Sequence, residues 1–492
     1  MKDMDYKSKI LISCSVLSAL SFNIYPQKVK KNKKYNVLFI AVDDLRTELG
    51  CYGNSVIKTP NIDKLGSEGV VFQKAYCQQA ISMASRASLL TGIKPENNLI
   101  YENGTANAAC PGQDKIEDVF RKNQYTIQGY GKIYNYYSDN SEQFGESYLE
   151  KNPKSKAKGR DFLEPENHKL IKEDGHWGGP AYEMADVADN EYVDGFLAEE
   201  TCKKLKQFAK SKEPFYMALG FRKPHLPFNA PKKYWDLYQR EDIQLAENQT
   251  LPMNYNKFTQ YNFEELRNGY DFIPRNKDLI PSDLQHTLKH GYYACVSYVD
   301  AQIGKVLDQL KKSGLDKNTI VVLWGDHGWK LGEHGMWCKH TNFDLDTRVP
   351  LIIKTPNGKS GVSQSFVELL DLYPTLMDLC NLEKPKFLDG NSIVNEIIHP
   401  DQVFRTEAYS MYPYRNQVIG YSIVNKDFRY IQYVHIPTGK VEADELYDHS
   451  IDRGENINIS AYPEYSDIKE RMSAVLRTKW KMDSSILNTL SH

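Results

Sequence analysis

The stretch Asn36-Val37-Leu38-Phe39-Ile40-Ala41-Val42-Asp43-Asp44 decides the fold. Residues 37 to 42 are all apolar, so the segment has no polar face and reads as a strand buried on both sides of a parallel sheet. Two adjacent carboxylates close it. Phe215-Tyr216-Met217-Ala218-Leu219-Gly220 repeats the form and is followed by Lys223-Pro224-His225. Thr319-Ile320-Val321-Val322-Leu323-Trp324 repeats it again and runs into Gly325-Asp326-His327. Helical patterns lie between these runs, over 193–210 and 292–312. Strands alternating with helices predict an α/β fold whose large domain has a mostly parallel central sheet flanked by helices. In such sheets ligands lie beyond the carboxyl ends of the strands, which is where the polar clusters fall.

The remaining organisation follows outward from that core. A chain of 492 residues exceeds one ordinary hydrophobic core and predicts a smaller companion domain. Its 41% apolar and 26% charged residues are globular proportions, and its formal charge of -2 excludes a general nucleic-acid-binding role. Lys2, Lys7 and Lys9 precede the apolar run 10–22, which contains Ala19-Leu20-Ser21; residues 1–21 read as a secretory signal peptide and 22–35 as a basic spacer. That run is too short to span a bilayer, and no other reaches the necessary length, so the mature chain is expected to carry no integral membrane segment. Cys14 offers a lipoprotein anchor as an alternative, ranked lower because almost no apolar run precedes it. Residues 36–398 read as the catalytic domain and 399–492 as a small C-terminal subdomain. In the latter, the alternating runs 417–424 and 428–434, the turn Pro437-Thr438-Gly439 and a helix over 465–481 predict an α+β unit with an antiparallel sheet. Residues 134–190 read as surface loops, and their run Lys151, Lys154, Lys156, Lys158 and Arg160 as a solvated face in preference to a polyanion contact. The cysteines show neither paired nor metal-site spacing.

Asp43 and Asp44 at one strand end, with Asp326 and His327 at another, make an oxygen-rich set suited to a hard divalent cation such as Ca2+ or Mg2+. The alternative for each acidic pair alone is a helix cap. Arg86, Lys132, Lys223, His225 and Lys339 supply cations after strands or in loops. Such groups gathered around a metal suit a tetrahedral oxyanion, whose charge needs fixed donors. The stretch Gln79 to Gly92, QAISMASRASLLTG, places Ser82, Ser85 and Arg86 at an apparent helix start, more hydroxyls than a cap requires.

Ser82-Met83-Ala84-Ser85-Arg86 followed by Leu90-Thr91-Gly92 resembles the signature of the sulfatase family, a formylglycine-dependent family of the alkaline-phosphatase-like superfamily. The wider chain is similar to its iduronate-2-sulfatase-like branch. The matching motifs run in order: Val42-Asp43-Asp44-Leu45-Arg46, Gly50-Cys51-Tyr52-Gly53, Thr59-Pro60-Asn61-Ile62-Asp63, Lys223-Pro224-His225-Leu226-Pro227-Phe228, and Gly325-Asp326-His327-Gly328-Trp329 through Leu331-Gly332-Glu333-His334-Gly335. Gly420-Tyr421-Ser422-Ile423 and Glu445-Leu446-Tyr447-Asp448 continue the series.

The resemblance implies that Ser82 is the formylglycine (3-oxoalanine) precursor and that Ser85 and Arg86 serve recognition and positioning. It implies Asp43, Asp44, Ser82, Asp326 and His327 as ligands of Ca2+, with Mg2+ possible. Lys132, Lys339 and Arg86 are implied to hold sulfate oxygens, and His225 to protonate the leaving alkoxide. A serine at 82 implies an anaerobic radical sulfatase-maturating enzyme as partner, hence a bacterium and the periplasm. A sulfated glycan is the implied substrate, and the branch favours a uronic-acid 2-O-sulfate. One departure stands out: Gly131-Lys132-Ile133-Tyr134-Asn135 puts Asn135 where the branch has a histidine. An amide can donate a hydrogen bond but not take a proton, so Asn135 is expected to hold the diol and His340 or solvent to accept the proton. A phosphoesterase and a catalytically silent glycan binder are the competing readings. The single acidic cluster and the full serine motif argue against the first, and retention of the whole set of charged residues against the second.

Overall fold

The computed structural model describes residues 34–98, 106, 110–135, 141–145, 149–150, 152–171, 178–260, 263–276, 278–415 and 417–480. The expected signal peptide and Cys14 lie outside the described residues, as does Lys151 of the basic run.

The predicted apolar runs form the centre of an eight-stranded sheet. Its strands are β1 (Asn36–Val42), β2 (Val70–Tyr76), β3 (Thr126–Gly131), β4 (Phe215–Phe221), β5 (Thr319–Gly325), β6 (Arg348–Val349), β7 (Leu351–Lys354) and β8 (Gly361–Glu368). The order is β6-β2-β7-β5-β1-β4-β3, with β8 pairing β2. Four neighbours, β5-β1-β4-β3, are mutually parallel, whereas β7 runs antiparallel to β5 and to β2. The register is level: Val42 lies opposite both Phe221 and Gly325, and Gly131 opposite Gly220. Four carboxyl ends therefore finish side by side, and whatever follows each strand converges on one rim.

β1 explains why it takes the centre. Leu38, Ile40 and Val42 join one core with Leu197, Leu288 and Val299; Val37, Phe39 and Ala41 join the opposite core with Met83, Leu89 and Leu376. The side-chain period of two splits the apolar run between both faces. Each large side chain so buried contributes roughly 1.5–3 kcal/mol.

The helices that pack on the sheets or carry site residues include α1 (Ser82–Thr91), α2 (Val193–Ser211), α3 (Glu264–Gly269), α4 (Ser282–Lys312) and α5 (Ser466–Lys479). The pattern over 193–210 matches α2. That over 292–312 is the buried C-terminal two-thirds of α4, which begins ten residues earlier in a segment too polar to show the period. The stretch read as loops also holds one short strand, Tyr182–Ala185, paired with Phe228–Pro231.

Near the C-terminus, β9 (Glu407–Tyr414), β10 (Val418–Asn425), β11 (Phe428–His435) and β12 (Lys440–Asp448) form the expected antiparallel sheet in simple sequential order. α5 covers it through Met472, Leu476 and the following Trp480. All seven cysteines among the described residues are free thiols, and no described helix is long and apolar enough to cross a membrane.

Candidate active site

The rim of the four parallel strands carries the predicted carboxylates. Asp43 and Asp44 leave β1, and Asp326 and His327 leave β5; all four are buried, and their ligand atoms lie within 4.8 Å of one another. The Asp44 amide donates to Asp326 Oδ1 at 3.0 Å, which ties the two strand ends together. Asp44 adopts a left-handed conformation, φ 57°, and its carbonyl accepts from the Tyr292 hydroxyl of α4 at 2.8 Å.

α1 brings Ser82 to the same point. Ile81 is extended just before the helix, and Gly92, at φ 70°, ends it by donating to the Ser88 carbonyl at 2.8 Å. A side chain at Gly92 would also meet Leu388. Every residue of α1 is buried. Its N-terminus, with unpaired amides and a partial positive charge, faces the rim. Ser82 Oγ lies 3.1 Å from Asp43 Oδ1 and 2.9 Å from His327 Nε2. Ser85 Oγ donates to the Asp326 carbonyl and anchors the helix to β5.

Arg86, one turn further on, is fully buried. Its Nε donates to Asp326 Oδ2 at 2.9 Å and Nη2 to Asp43 Oδ1 at 3.2 Å; Nη1 donates to the carbonyls of Lys132 and Ile133. Its fork thus holds two metal-site carboxylates and the β3 exit together, a geometry that suits guanidinium better than ammonium.

Lys132 sits where β3 and β4 crowd each other. A Cβ on Gly131 would lie 2.0 Å from the Gly220 carbonyl, and one on Gly220 would lie 2.0 Å from the Lys132 carbonyl, so both positions require glycine. The crossing aims Lys132 Nζ at Asp43 Oδ2, 2.7 Å away. Lys339 Nζ contacts Asp44 Oδ1 at 3.1 Å and Glu265 Oε2 at 3.0 Å, over the face of Trp329. His225 Nε2 lies 3.0 Å from Glu265 Oε1 and 3.9 Å from Asp44 Oδ2, and its side chain is 25% exposed, the most open of these groups. Lys223 turns away, with Nζ donating to the carbonyls of His225 and Pro227.

The charges push neighbouring carboxylates in opposite directions. Burial alone would raise Asp43, but Lys132, His225 and Arg86 outweigh it and hold the carboxyl well below the usual range. Burial raises Asp44 and the Lys339 ammonium offsets only part of that. For Glu265, burial is again opposed, and Lys339 and His225 keep the carboxyl ionised well below its usual range. His340 is pushed down to about 3 by burial and by Lys339, which leaves it neutral and a weak proton acceptor. Asn135 is half-buried in the turn after Lys132, and its side chain makes no hydrogen bond among the described residues.

The donor set fits a divalent cation. His327 Nδ1 lies 2.9 Å from the Gly328 carbonyl, which can only accept, so the ring hydrogen belongs there and the Nε2 lone pair faces inward. That lone pair stands 3.4 Å from Asp44 Oδ1 and 3.6 Å from Asp326 Oδ2, an arrangement that a cation relieves. Asp43, Asp44, Asp326, His327 and the atom at position 82 would hold it.

The structure thus gathers Ser82, Arg86, Lys132, His225 and Lys339 around the four metal-site residues. Glu265 went unrecognised in the sequence. It lies in Phe263-Glu264-Glu265-Leu266-Arg267, where neither an apolar period nor a strand end marks it. Lys154, Lys156 and Lys158 are exposed, and no carboxylate forms an ion pair with them among the described residues.

The family described as Sulfatase matches residues 35–382, and the one described as N-sulphoglucosamine sulphohydrolase, C-terminal, matches residues 332–482. Iduronate 2-sulfatase of Mus musculus is 30% identical over 501 residues, covering 85% of this chain and 90% of the mouse protein. A solved complex of a protein with its substrate D-glucosamine-2-N,6-O-disulfate aligns with a TM-score of 0.70 at 21% identity, over 93% of this chain and 99% of the other. A phosphonate monoester hydrolase from Silicibacter pomeroyi aligns with a TM-score of 0.73 at 22% identity, over 92% and 97%. The fold is therefore shared by proteins named for different esters. The family match covers most of the chain and includes both acidic strand ends and α1, so this protein belongs to the sulfatase family and is a sulfuric ester hydrolase.

Proposed function

We propose that this protein is an exported sulfatase that removes O-sulfate from a sulfated glycan, at the 2-position of a uronic acid, after Ser82 has been oxidised to formylglycine by a radical maturase. The observation that carries the reading is the place of Ser82. Its Oγ lies at the N-terminus of α1 between Asp43 and His327, at the centre of the acidic cluster, with only 6% of the residue exposed. A cap or a core serine has no need of either neighbour.

Formylglycine at position 82, once formed and hydrated, would supply one hydroxyl as nucleophile toward sulfur and a second for release of sulfate. A bound Ca2+ or Mg2+ supplies Lewis acidity that lowers the hydroxyl pKa and draws charge from sulfate. The chain's own residues do the rest. Lys132 and Lys339 each carry an ammonium beside a metal-site carboxylate, from which either can turn to a sulfate oxygen. Arg86 has its donors committed to Asp43, Asp326 and two carbonyls, so it acts by fixing the ligands rather than by leaving them. His225, the most open of the set, gives its Nε2 proton to the departing sugar oxygen. The asymmetry between buried Lys339 and open His225 supports a sugar bound on the His225 side.

The uronic-acid reading draws on the name of the mouse relative. The test is sulfate release, followed by ion chromatography, from matured protein with Ca2+. Unsaturated or saturated uronate-2-sulfate disaccharides are compared with glucosamine-6-sulfate and 4-nitrophenyl sulfate. Turnover of the uronide at least about 100-fold above the amino sugar supports the assignment. Equal or reversed rates would move the substrate to another sulfated sugar while leaving the reaction class intact.

A further inference from the structure

We propose that Glu265 is a positioning residue that aims His225 at the leaving oxygen of the sulfate ester and ties it to Lys339. The proposal rests on the reading of His225 as proton donor.

The two oxygens of Glu265 are divided between the two groups: Oε1 lies 3.0 Å from His225 Nε2 and Oε2 lies 3.0 Å from Lys339 Nζ. Each partner is also held from behind. His225 Nδ1 donates to the Leu226 carbonyl at 2.6 Å, so the ring is gripped at both nitrogens and cannot flip without losing both contacts. Lys339 is held by Asp44 at 3.1 Å. Glu265 is thus the group that links the acid to the cation.

Glu265 itself is carried on a pinned segment. Two residues on, Arg267 is buried, with Nη2 donating to the Asp278 carbonyl at 2.6 Å, Nη1 to the Pro274 carbonyl, and the guanidinium over the Phe263 ring. Tyr270, which follows α3, packs its ring against Arg160 and bonds it through its hydroxyl. A carboxylate fixed this close to an anion-binding site repels the substrate, and alignment of the donor offsets that cost.

In the step itself the Nε2–H bond breaks with its electron pair staying on nitrogen, and a new O–H bond forms on the sugar oxygen. The S–O bond to the sugar breaks with its electron pair leaving on that oxygen, and the nucleophile oxygen at position 82 would take its place on sulfur. Nε2 has one hydrogen, so the ester oxygen takes it over from Glu265 during the transfer. Lys339 stays in place through Asp44.

The test uses matured full-length protein and aryl sulfates from 4-nitrophenyl to unsubstituted phenyl sulfate, whose phenols become steadily less acidic and depend increasingly on a proton donor. kcat is normalised to the formylglycine fraction measured by mass spectrometry. For Glu265→Gln the expected result is a loss of kcat on phenyl sulfate at least about 10-fold larger than its loss on 4-nitrophenyl sulfate. His225→Gln should show the same selectivity, and the double variant should lose no more than His225→Gln alone. Glu265→Asp, which keeps the charge, should recover part of the phenyl sulfate rate. An equal loss on all esters, or additive losses in the double variant, would overturn the proposal. If matured wild type releases sulfate from neither the aryl sulfates nor the uronate-2-sulfate disaccharides, the proposed function fails instead, so the two failures are distinct.

Discussion

Replacing Arg86 with glutamine removes a cation that touches both Asp43 and Asp326 inside the core, with all three side chains essentially without solvent contact. Taking one partner from a buried pair costs about 3–5 kcal/mol, because the remaining charge keeps its desolvation penalty and loses its compensation. Arg86 serves two carboxylates and two carbonyls, so the upper part of that range is expected. At about 2.1 cal/mol/K of unfolding entropy per residue, a chain of 492 residues converts about 1 kcal/mol to about 1 °C, and the metal-stripped variant should melt about 4–5 °C lower. Calorimetry at a fixed scan rate measures it. A bound Ca2+ supplies the missing positive charge, so saturating Ca2+ should close at least half of the gap between variant and wild type. The half-exposed pair Arg121 and Asp118 provides the control: Arg121→Gln should shift the midpoint by less than about 1 °C. A fall below about 1 °C for Arg86→Gln without metal, or a gap that Ca2+ leaves unchanged, would refute the assignment of Arg86 as counter-charge to the metal carboxylates.

Three further outcomes follow from the same geometry. Asp326→Asn removes one ligand and should weaken Ca2+ binding by at least about 10-fold in calorimetric titration, since even outer-shell partners carry 10- to 100-fold effects. Glu445 of β12 is buried, accepting from Asn256, Thr259 and Tyr433, and burial raises its carboxyl from 4.5 to about 7. Because the folded value lies above the unfolded one, its stabilising contribution is full below pH 4.5 and is lost as pH rises through 7. Wild type should therefore lose about 3 kcal/mol relative to Glu445→Gln between pH 4.5 and 8, read from paired denaturation curves. Asn135→His should speed sulfate release in single-turnover experiments if position 135 serves the second half-reaction, and unchanged rates would remove it from the mechanism.

The site was legible wherever it coincided with a strand end. Asp43-Asp44 and Asp326-His327 follow apolar runs that only a two-sided core can accommodate, so their position at the rim could be read before any contact was known. Ser82 and Arg86 were legible from their motif, and the structure adds that Arg86 spends its whole fork on other site residues. Glu265 was hidden because α3 is short, polar and placed by Arg267 and Tyr270 through contacts distant in sequence. The start of α4 was hidden for a related reason: residues 282–291 are mostly polar, and a helix period shows only where one face is apolar. β3 escaped notice because Gln128, Gly129 and Gly131 interrupt its apolar pattern, yet the close approach of Gly131 to β4 is what aims Lys132.

The central claim is that Ser82 is a precursor rather than a nucleophile or a structural hydroxyl. Mass spectrometry of the tryptic peptide Ala75 to Arg86, from protein co-produced with a radical sulfatase maturase under anaerobic conditions, tests it most directly. The account predicts a loss of two hydrogens localised to Ser82. An intact serine, in cells where a control sulfatase is fully converted, would contradict it.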